Sequence, residues 1–413
     1  MKKSLCLGSI FAGVTLISFV PTKGMAADFT FTKIADTTDG FSSFFDAPAI
    51  NDAGTVAFSG TLSNGTTGVF TGSGSTITPF ALSGGANPSF RSVITNPAIN
   101  NAGAVVFGAS TNNSGNLGVF TSSGNPPAPT IATQNLTSLG GAPAISNTGT
   151  VAFAATTRTS SGADTPSLFV ISNNQVSTTD LDRSISGASA INPNSVAINN
   201  ANTVAVASSS GFGNGGVFAK ATDNPLMLLR SGSAGGVSLN NTGNYAAGFA
   251  YPAGYTEIAI GNTIDGTVTR IIPGQVFSNG NFVGLSVGSP SINDKGTVVF
   301  QARLADLADR PGQQALYFNS YTDANRIIKT GDSLFGSTVT SFGQFFPSSS
   351  RGLNNAGQVV FYAELADGRV GIFQAEPIPE PHTIIPGVLF LVGFGIRSKL
   401  RRKVRRQNEK NCR

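Results

Sequence analysis

The chain has 413 residues, of which 11% are charged and 40% hydrophobic, with 50 Gly, 30 Phe, no Trp, two Cys and one His. So apolar a chain is not a disordered one, and so many glycines with so few charges exclude a coiled coil or helix bundle. One His and two Cys exclude most metal sites and most nucleophile–base pairs.

The formal charge of +5 is unevenly placed. Lys2, Lys3 and Lys23 put +3 on the first 26 residues. The last 17 carry +8, so the stretch 27–396 stands at −6. Cys6, Cys412 and His382 also lie towards the ends, which leaves the body without Cys or His. It can form no disulfide and offers no zinc ligand set.

Residues 1–26 read as a secretory signal peptide. Lys2 and Lys3 form the basic head, and Leu5 to Val20 the apolar run. Gly24-Met25-Ala26 supplies the small residues of a cleavage site. Cleavage is expected after Ala26, with Ala27 as the alternative. The apolar run is short for a membrane span.

The body, 27–376, contains seven copies of one nine-residue unit. They begin at Ile50, Ile99, Ile145, Ile198, Leu239, Ile292 and Leu353, and the first reads Ile-Asn-Asp-Ala-Gly-Thr-Val-Ala-Phe. Spacings of 41 to 61 residues point to a solenoid, propeller or array. The second position is Asn51, Asn100, Ser146, Asn199, Asn240, Asn293 and Asn354. Asn and Ser there can bond the backbone two residues on and start a turn. Three residues later stand Gly54, Gly103, Gly149, Asn202, Gly243, Gly296 and Gly357. Gly suits the left-handed position of a three-residue hairpin loop, and Asn is the next best residue for it. After the turn, Val56-Ala57-Phe58 alternates as a half-buried strand should.

Each hairpin is followed by a second strand, as at Gly68-Val69-Phe70 and Gly371-Ile372-Phe373. A third short run appears at Thr76-Ile77 and Arg326-Ile327-Ile328, and a fourth leads into the next unit, as at Ser92-Val93-Ile94. Four strands in about 50 residues make a propeller blade. The seventh unit stops after Phe373, without its third run. Phe29 to Ala35 resembles Asn325 to Lys329, so the N-terminal strand is expected to complete the last blade and close the ring, removing exposed edges. The expected fold is an all-β, seven-bladed propeller in one domain. The repeat resembles the extracellular tandem repeats called HAF repeats. The Asp52–Gly54 turn is similar to the Asp-box hairpins of sialidase-like propellers. Both resemblances rest on a structural turn and imply no activity.

Several motifs look chemical. Gly211-Phe212-Gly213-Asn214-Gly215-Gly216 satisfies G-x-G-x-x-G, yet a strand rather than a helix is expected after it, so no phosphate meets a helix N-terminus. Gly284-Leu285-Ser286-Val287-Gly288 satisfies G-x-S-x-G, but the body has no His to serve as base. Asp52 and Asp294 suggest calcium, yet each turn carries at most one Asp, and calcium takes six to eight oxygens. Charges of alternating sign from Arg303 to Asp332 read as a solvated insertion or a binding loop. No catalytic, cofactor or metal residue is assigned.

The C-terminal segment, 377–413, has three parts. Pro379-Glu380-Pro381 is followed by the uncharged run Ile384 to Ile396. Then comes a basic tail of Arg397, Lys399, Arg401, Arg402, Lys403, Arg405 and Arg406. As a helix the run is ~20 Å long, short of the roughly 30 Å hydrocarbon core. The basic end would stay cytoplasmic and leave the body outside. The ordered triplet resembles the PEP-CTERM sorting signal of Gram-negative bacteria. That resemblance implies export, transient anchoring in the inner membrane and processing by an exosortase. Delivery to the envelope surface or extracellular matrix would follow. The alternative is a plain tail anchor. An acidic body argues against nucleic acid as a partner.

The function expected is therefore structural or binding, towards polysaccharide or a surface protein, with the export machinery and an exosortase-like enzyme as transient partners. The competing expectation is a carbohydrate-active hydrolase or lyase with paired carboxylates on a propeller face, which needs only two acids about 5–10 Å apart.

Overall fold

The computed structural model describes residues 29–378. Not described within that range are 46, 85–89, 112–115, 123–127, 133–135, 159–160, 174, 182–192, 210–214, 222–223, 252–255, 274–281, 286–289, 306–312, 321 and 344–351. The expected signal peptide, with its expected cleavage after Ala26, lies outside the described residues. So do Pro379, Glu380, Pro381, the apolar run and the basic tail.

Seven antiparallel sheets form a seven-bladed β-propeller. Blade 1 is typical. Its innermost strand is Phe41–Phe44 with Ala49–Ile50, followed outwards by Val56–Leu62, Thr67–Ser73 and Thr76–Leu82. Blade 7 is made from both ends of the body. Ser337–Phe342, Val359–Leu365 and Val370–Pro377 are joined on the outside by Phe29–Asp36. The register runs from Phe29 opposite Pro377 to Asp36 opposite Gly371. No α-helix occurs among the described residues; two short 3-10 turns do, Thr37–Asp39 and Asp323–Asn325.

The Val-Ala-Phe pattern sets how blades pack. Ile50, Val56, Phe58 and Phe70 face blade 7, where they meet Ile34, Val360 and Ile372. Ala49, Ala57 and Val69 face blade 2, where they meet Ile99, Val105, Phe107 and Phe120. Side chains alternate across a strand, so each blade shows a bulky face to the preceding blade and a smaller one to the next. Phenylalanines of one blade thereby nest on the small residues of its neighbour, and seven such cores circle the axis. The strand after each turn is thus buried on both faces rather than half-buried. Val56, Ala57 and Phe58 are all fully buried, because a blade is sandwiched between two others.

Two of the chemical-looking motifs fall partly inside the described residues. Gly216 opens the strand Gly216–Lys220, and Gly284 and Leu285 belong to Phe282–Leu285. The remainder of both motifs, apart from Gly215, lies outside. Of the charged stretch, 306–312 lies outside, and Asp332 accepts a bond from the Lys329 amide at 2.9 Å.

Candidate functional site

The seven hairpin turns gather around the axis at one mouth of the propeller. Gly54, Gly103, Gly149, Gly243, Gly296 and Gly357 have φ between 77° and 89°, and Asn202 has φ 60°. The turn asparagine closes its own loop. Asn51 Oδ1 accepts from the amides of Ala53 and Thr55 at 3.1 and 2.9 Å. Asn100, Asn199, Asn293 and Asn354 repeat this pair of bonds.

The same side chain also reaches the next blade. Asn51 Nδ2 donates to the Asn100 carbonyl, Asn100 to Ser146, Asn199 to Asn240, Asn240 to Asn293, Asn293 to Asn354, and Asn354 back to Asn51, all at 3.0–3.3 Å. Ser146 interrupts the circuit, since its hydroxyl accepts from the Thr150 amide but has no second arm. All seven residues are at least nine-tenths buried.

A second circuit lies just outside the first and is unbroken. It joins Asp52, Asn101, Asn147, Asn200, Asn241, Asp294 and Asn355. The backbone amide of each donates to the side-chain oxygen of the next, at 2.7–3.0 Å, and Asn355 returns to Asp52. The turn amides, exposed or half-buried, are thus each satisfied by a neighbouring blade. Beneath the mouth, Ile50, Ile99, Ile145, Ile198, Leu239, Ile292 and Leu353 are at most 8% exposed. They line small cavities with Ala98, Ala144, Ala197 and Ser238.

Two carboxylates converge here from distant units. Asn355 Nδ2 donates to Asp52 Oδ2 at 3.0 Å and to Asp294 Oδ2 at 2.9 Å, so the two oxygens are no more than about 6 Å apart. Asp52 also accepts from Asn101 Nδ2 at 2.7 Å, and Asp294 from Asn241 Nδ2 at 2.9 Å. Each carboxylate therefore accepts three bonds from uncharged donors of the neighbouring turns, which ties it into the ring. Among the described residues no group of three or more His, Cys, Asp or Glu could hold a metal ion.

A second polar cluster marks the seam between the N-terminal strand and blade 7. Asp36 is fully buried, 3.2 Å from Lys33 Nζ and 3.5 Å from Arg369 Nη1. It caps the turn Thr37–Asp39, whose Asp39 lies 3.0 Å from Lys33. Burial opposes the Asp36 carboxylate, but the Thr38 hydroxyl and amide, then Lys33, outweigh it and hold its pKa below the ordinary value. Burial likewise opposes the Lys33 ammonium, yet bonds to Asp39 and Asp36 raise it. A third cluster ties blade 4 to blade 5. Arg230 pairs with the buried Glu257, donates to Tyr251 at 3.3 Å, and lies 5.3 Å from the Phe249 ring centre.

The second position of each unit was readable as a turn former. The third, Asn or Asp in all seven units, carried the signal for the outer circuit. Asp36, Arg369 and the Arg230–Glu257 pair have no counterpart in the repeat, so no recurring pattern marks them.

A model of a family of unknown function, DUF7453, matches residues 30–126 and 266–385. The two segments are far apart in sequence but adjoin in the ring, as blades 6 and 7 meet blades 1 and 2 at the seam. No curated protein matches the chain. Among solved structures, a puromycin-hydrolyzing peptidase of Mycobacterium tuberculosis is 11% identical with a TM-score of 0.54, over 87% of this chain and 57% of that one. An acylaminoacyl peptidase of Pyrococcus horikoshii is 11% identical with a TM-score of 0.50, over 87% and 56%. The chain thus spans little more than half the length of these peptidases, and at such identity the likeness is one of fold.

Proposed function

The chain belongs to the DUF7453 family, and we propose that it is an exported propeller with a structural or binding role at the cell envelope. The observation that carries this reading is the axial mouth. In propellers the axis is a natural place for a ligand. Here its polar side chains hold blade to blade in two circuits, and its two converging carboxylates are occupied by ring amides. The site serves architecture, which suits a rigid scaffold that displays a surface.

The ends supply the address. The N-terminal segment to Ala26 directs export, and Pro379-Glu380-Pro381 with the apolar run and basic tail directs sorting. The tail anchors the exported chain transiently in the inner membrane of a Gram-negative cell until an exosortase-like enzyme processes it. The body then stays at the envelope surface or in the matrix, in contact with polysaccharide or a surface protein.

The test is expression of the full chain and of a variant with Pro379, Glu380 and Pro381 all changed to Ala, followed by fractionation. The parent is expected at the surface as a shortened chain, and the variant unprocessed at the inner membrane. A parent that stays inside the cell overturns export, and equal processing of both overturns the sorting signal.

A further inference from the structure

Phe335 is a bulky residue at φ +46°, in the left-handed region that few residues other than Gly, Asn and Asp adopt. It is the first of two loop residues between Ser333–Leu334 and Ser337–Phe342, and Gly336 follows at φ +78°. A two-residue hairpin of this kind favours Asn at the first position. The conformation is held from outside, since Arg369 Nη2 donates to the Phe335 carbonyl at 2.8 Å.

The ring stacks on Phe373, with centroids 5.7 Å apart and planes inclined by 19°. Phe373 is fully buried and Phe335 is 41% exposed. One face of the ring therefore rests on the core and the other meets solvent. Among the described residues it is the one aromatic side chain in the set of exposed large hydrophobics. Planar polar groups border it. Arg369 Nε donates to Asp367 Oδ2 at 2.8 Å, and both side chains reach solvent. The Asp367 amide bonds Ser337 Oγ at 3.2 Å, which packs the two turns together.

We propose that this corner is a carbohydrate-binding subsite, in which the open face of Phe335 takes the C–H face of a pyranose ring and Arg369 and Asp367 take its hydroxyl groups. The inference deepens the binding role proposed above. The negative face of an aromatic ring attracts polarised C–H groups. The half-exposed Asp367 carboxylate offers acceptors to adjacent hydroxyls, and Arg369 Nη1, only 3.5 Å from Asp36, offers a remaining N–H donor. A strained backbone at an exposed ring is a pointer to function, because Asn in its place would relieve the strain. A protein partner fits less well, since a lone ring bordered by charges lacks the apolar centre of an interface.

The test uses the full chain, Phe335→Asn, Phe335→Tyr and Asp367→Ala on an array of glucan, mannan, galactan and alginate oligosaccharides. Titration calorimetry with the best-bound one follows. Phe335→Asn is expected to melt at or above the parent's temperature while losing at least tenfold in affinity. Phe335→Tyr should bind as the parent does, and Asp367→Ala more weakly. A parent that binds no glycan, or a Phe335→Asn chain that binds equally well, overturns the subsite. A Phe335-dependent contact with an envelope protein, and none with glycan, also overturns it. A blank array with correct surface fractionation would remove this subsite and leave the envelope role intact.

Discussion

Asn100→Ala is the most informative change in the inner circuit. The wild-type side chain is 3% exposed. It accepts from the amides of Ala102 and Ala104 at 3.1 and 2.9 Å, and donates to the Ser146 carbonyl at 3.0 Å. Alanine leaves two amides and one carbonyl without these partners at a buried turn. A typical hydrogen bond contributes about 1 kcal/mol net, and a buried group left unpaired costs about 1–3 kcal/mol. Three lost bonds, softened by water entering at the mouth, give about 3 kcal/mol. Blade 3 supplies the control, since the Ser146 hydroxyl accepts from the Thr150 amide alone, bonds Thr148 Oγ1 and does not reach the next blade. Asn100→Ser should therefore lose the inter-blade bond and the bond from the Ala102 amide, or about 2 kcal/mol. Urea unfolding followed by circular dichroism measures both, as midpoints at constant slope. The expected order is parent, then Ser, then Ala. Equal midpoints for all three would refute the inner circuit as a stabilising element, and equal losses for Ser and Ala would refute the turn bond that the serine hydroxyl keeps.

Other consequences are equally direct. Glu257→Gln leaves Arg230 without its buried counter-charge and should destabilise by about 3 kcal/mol; Arg230→Met with Glu257→Leu should recover much of that loss in the same urea series. Asp36 has a lowered pKa in the fold, so its contribution is present above the unfolded value of about 3.9 and is lost as pH falls through the folded value. Lys33 has a raised one, so its share is full below the unfolded value of about 10.4 and is lost as pH rises through the folded value. Melting temperature against pH should show an acid limb that flattens in Asp36→Asn; an unchanged limb would contradict the assignment. Deleting residues 29–36 exposes the Val370–Pro377 edge and should lower the melting temperature and produce edge-driven association on a sizing column. A deleted chain as stable as the parent, with the parent's elution volume, would contradict the strand's role.

The fold was legible because the repeat is written with strong local signals. Asn51 and Gly54 announce a turn by their own chemistry, Val56-Ala57-Phe58 announces a strand, and seven recurrences at blade-like spacing announce a propeller. The likeness of Phe29–Ala35 to Asn325–Lys329 announced which strand lies outermost in blade 7. The candidate site was only partly legible. Self-bonding of Asn51 is a local property, whereas its bond to the Asn100 carbonyl depends on the angle between blades, which no single unit encodes. Asp52 and Asp294 are 242 positions apart, and only closure of the ring brings them to Asn355. Phe335 was hidden for the opposite reason. It breaks the local preference for Asn or Gly at a positive φ, and a pattern search finds residues that obey such preferences.

Closure by the N-terminal strand underlies both axial circuits and the seam, and an engineered disulfide tests it most directly. Thr30 and Glu376 are exposed partners across that pairing. With Cys6 and Cys412 changed to Ser, the only thiols in a Thr30→Cys, Glu376→Cys chain are the new pair. A closed ring predicts near-complete disulfide formation on mild oxidation, no titratable thiol under native conditions and a higher melting temperature than the reduced form. Two freely titratable thiols after oxidation of the folded chain would contradict it.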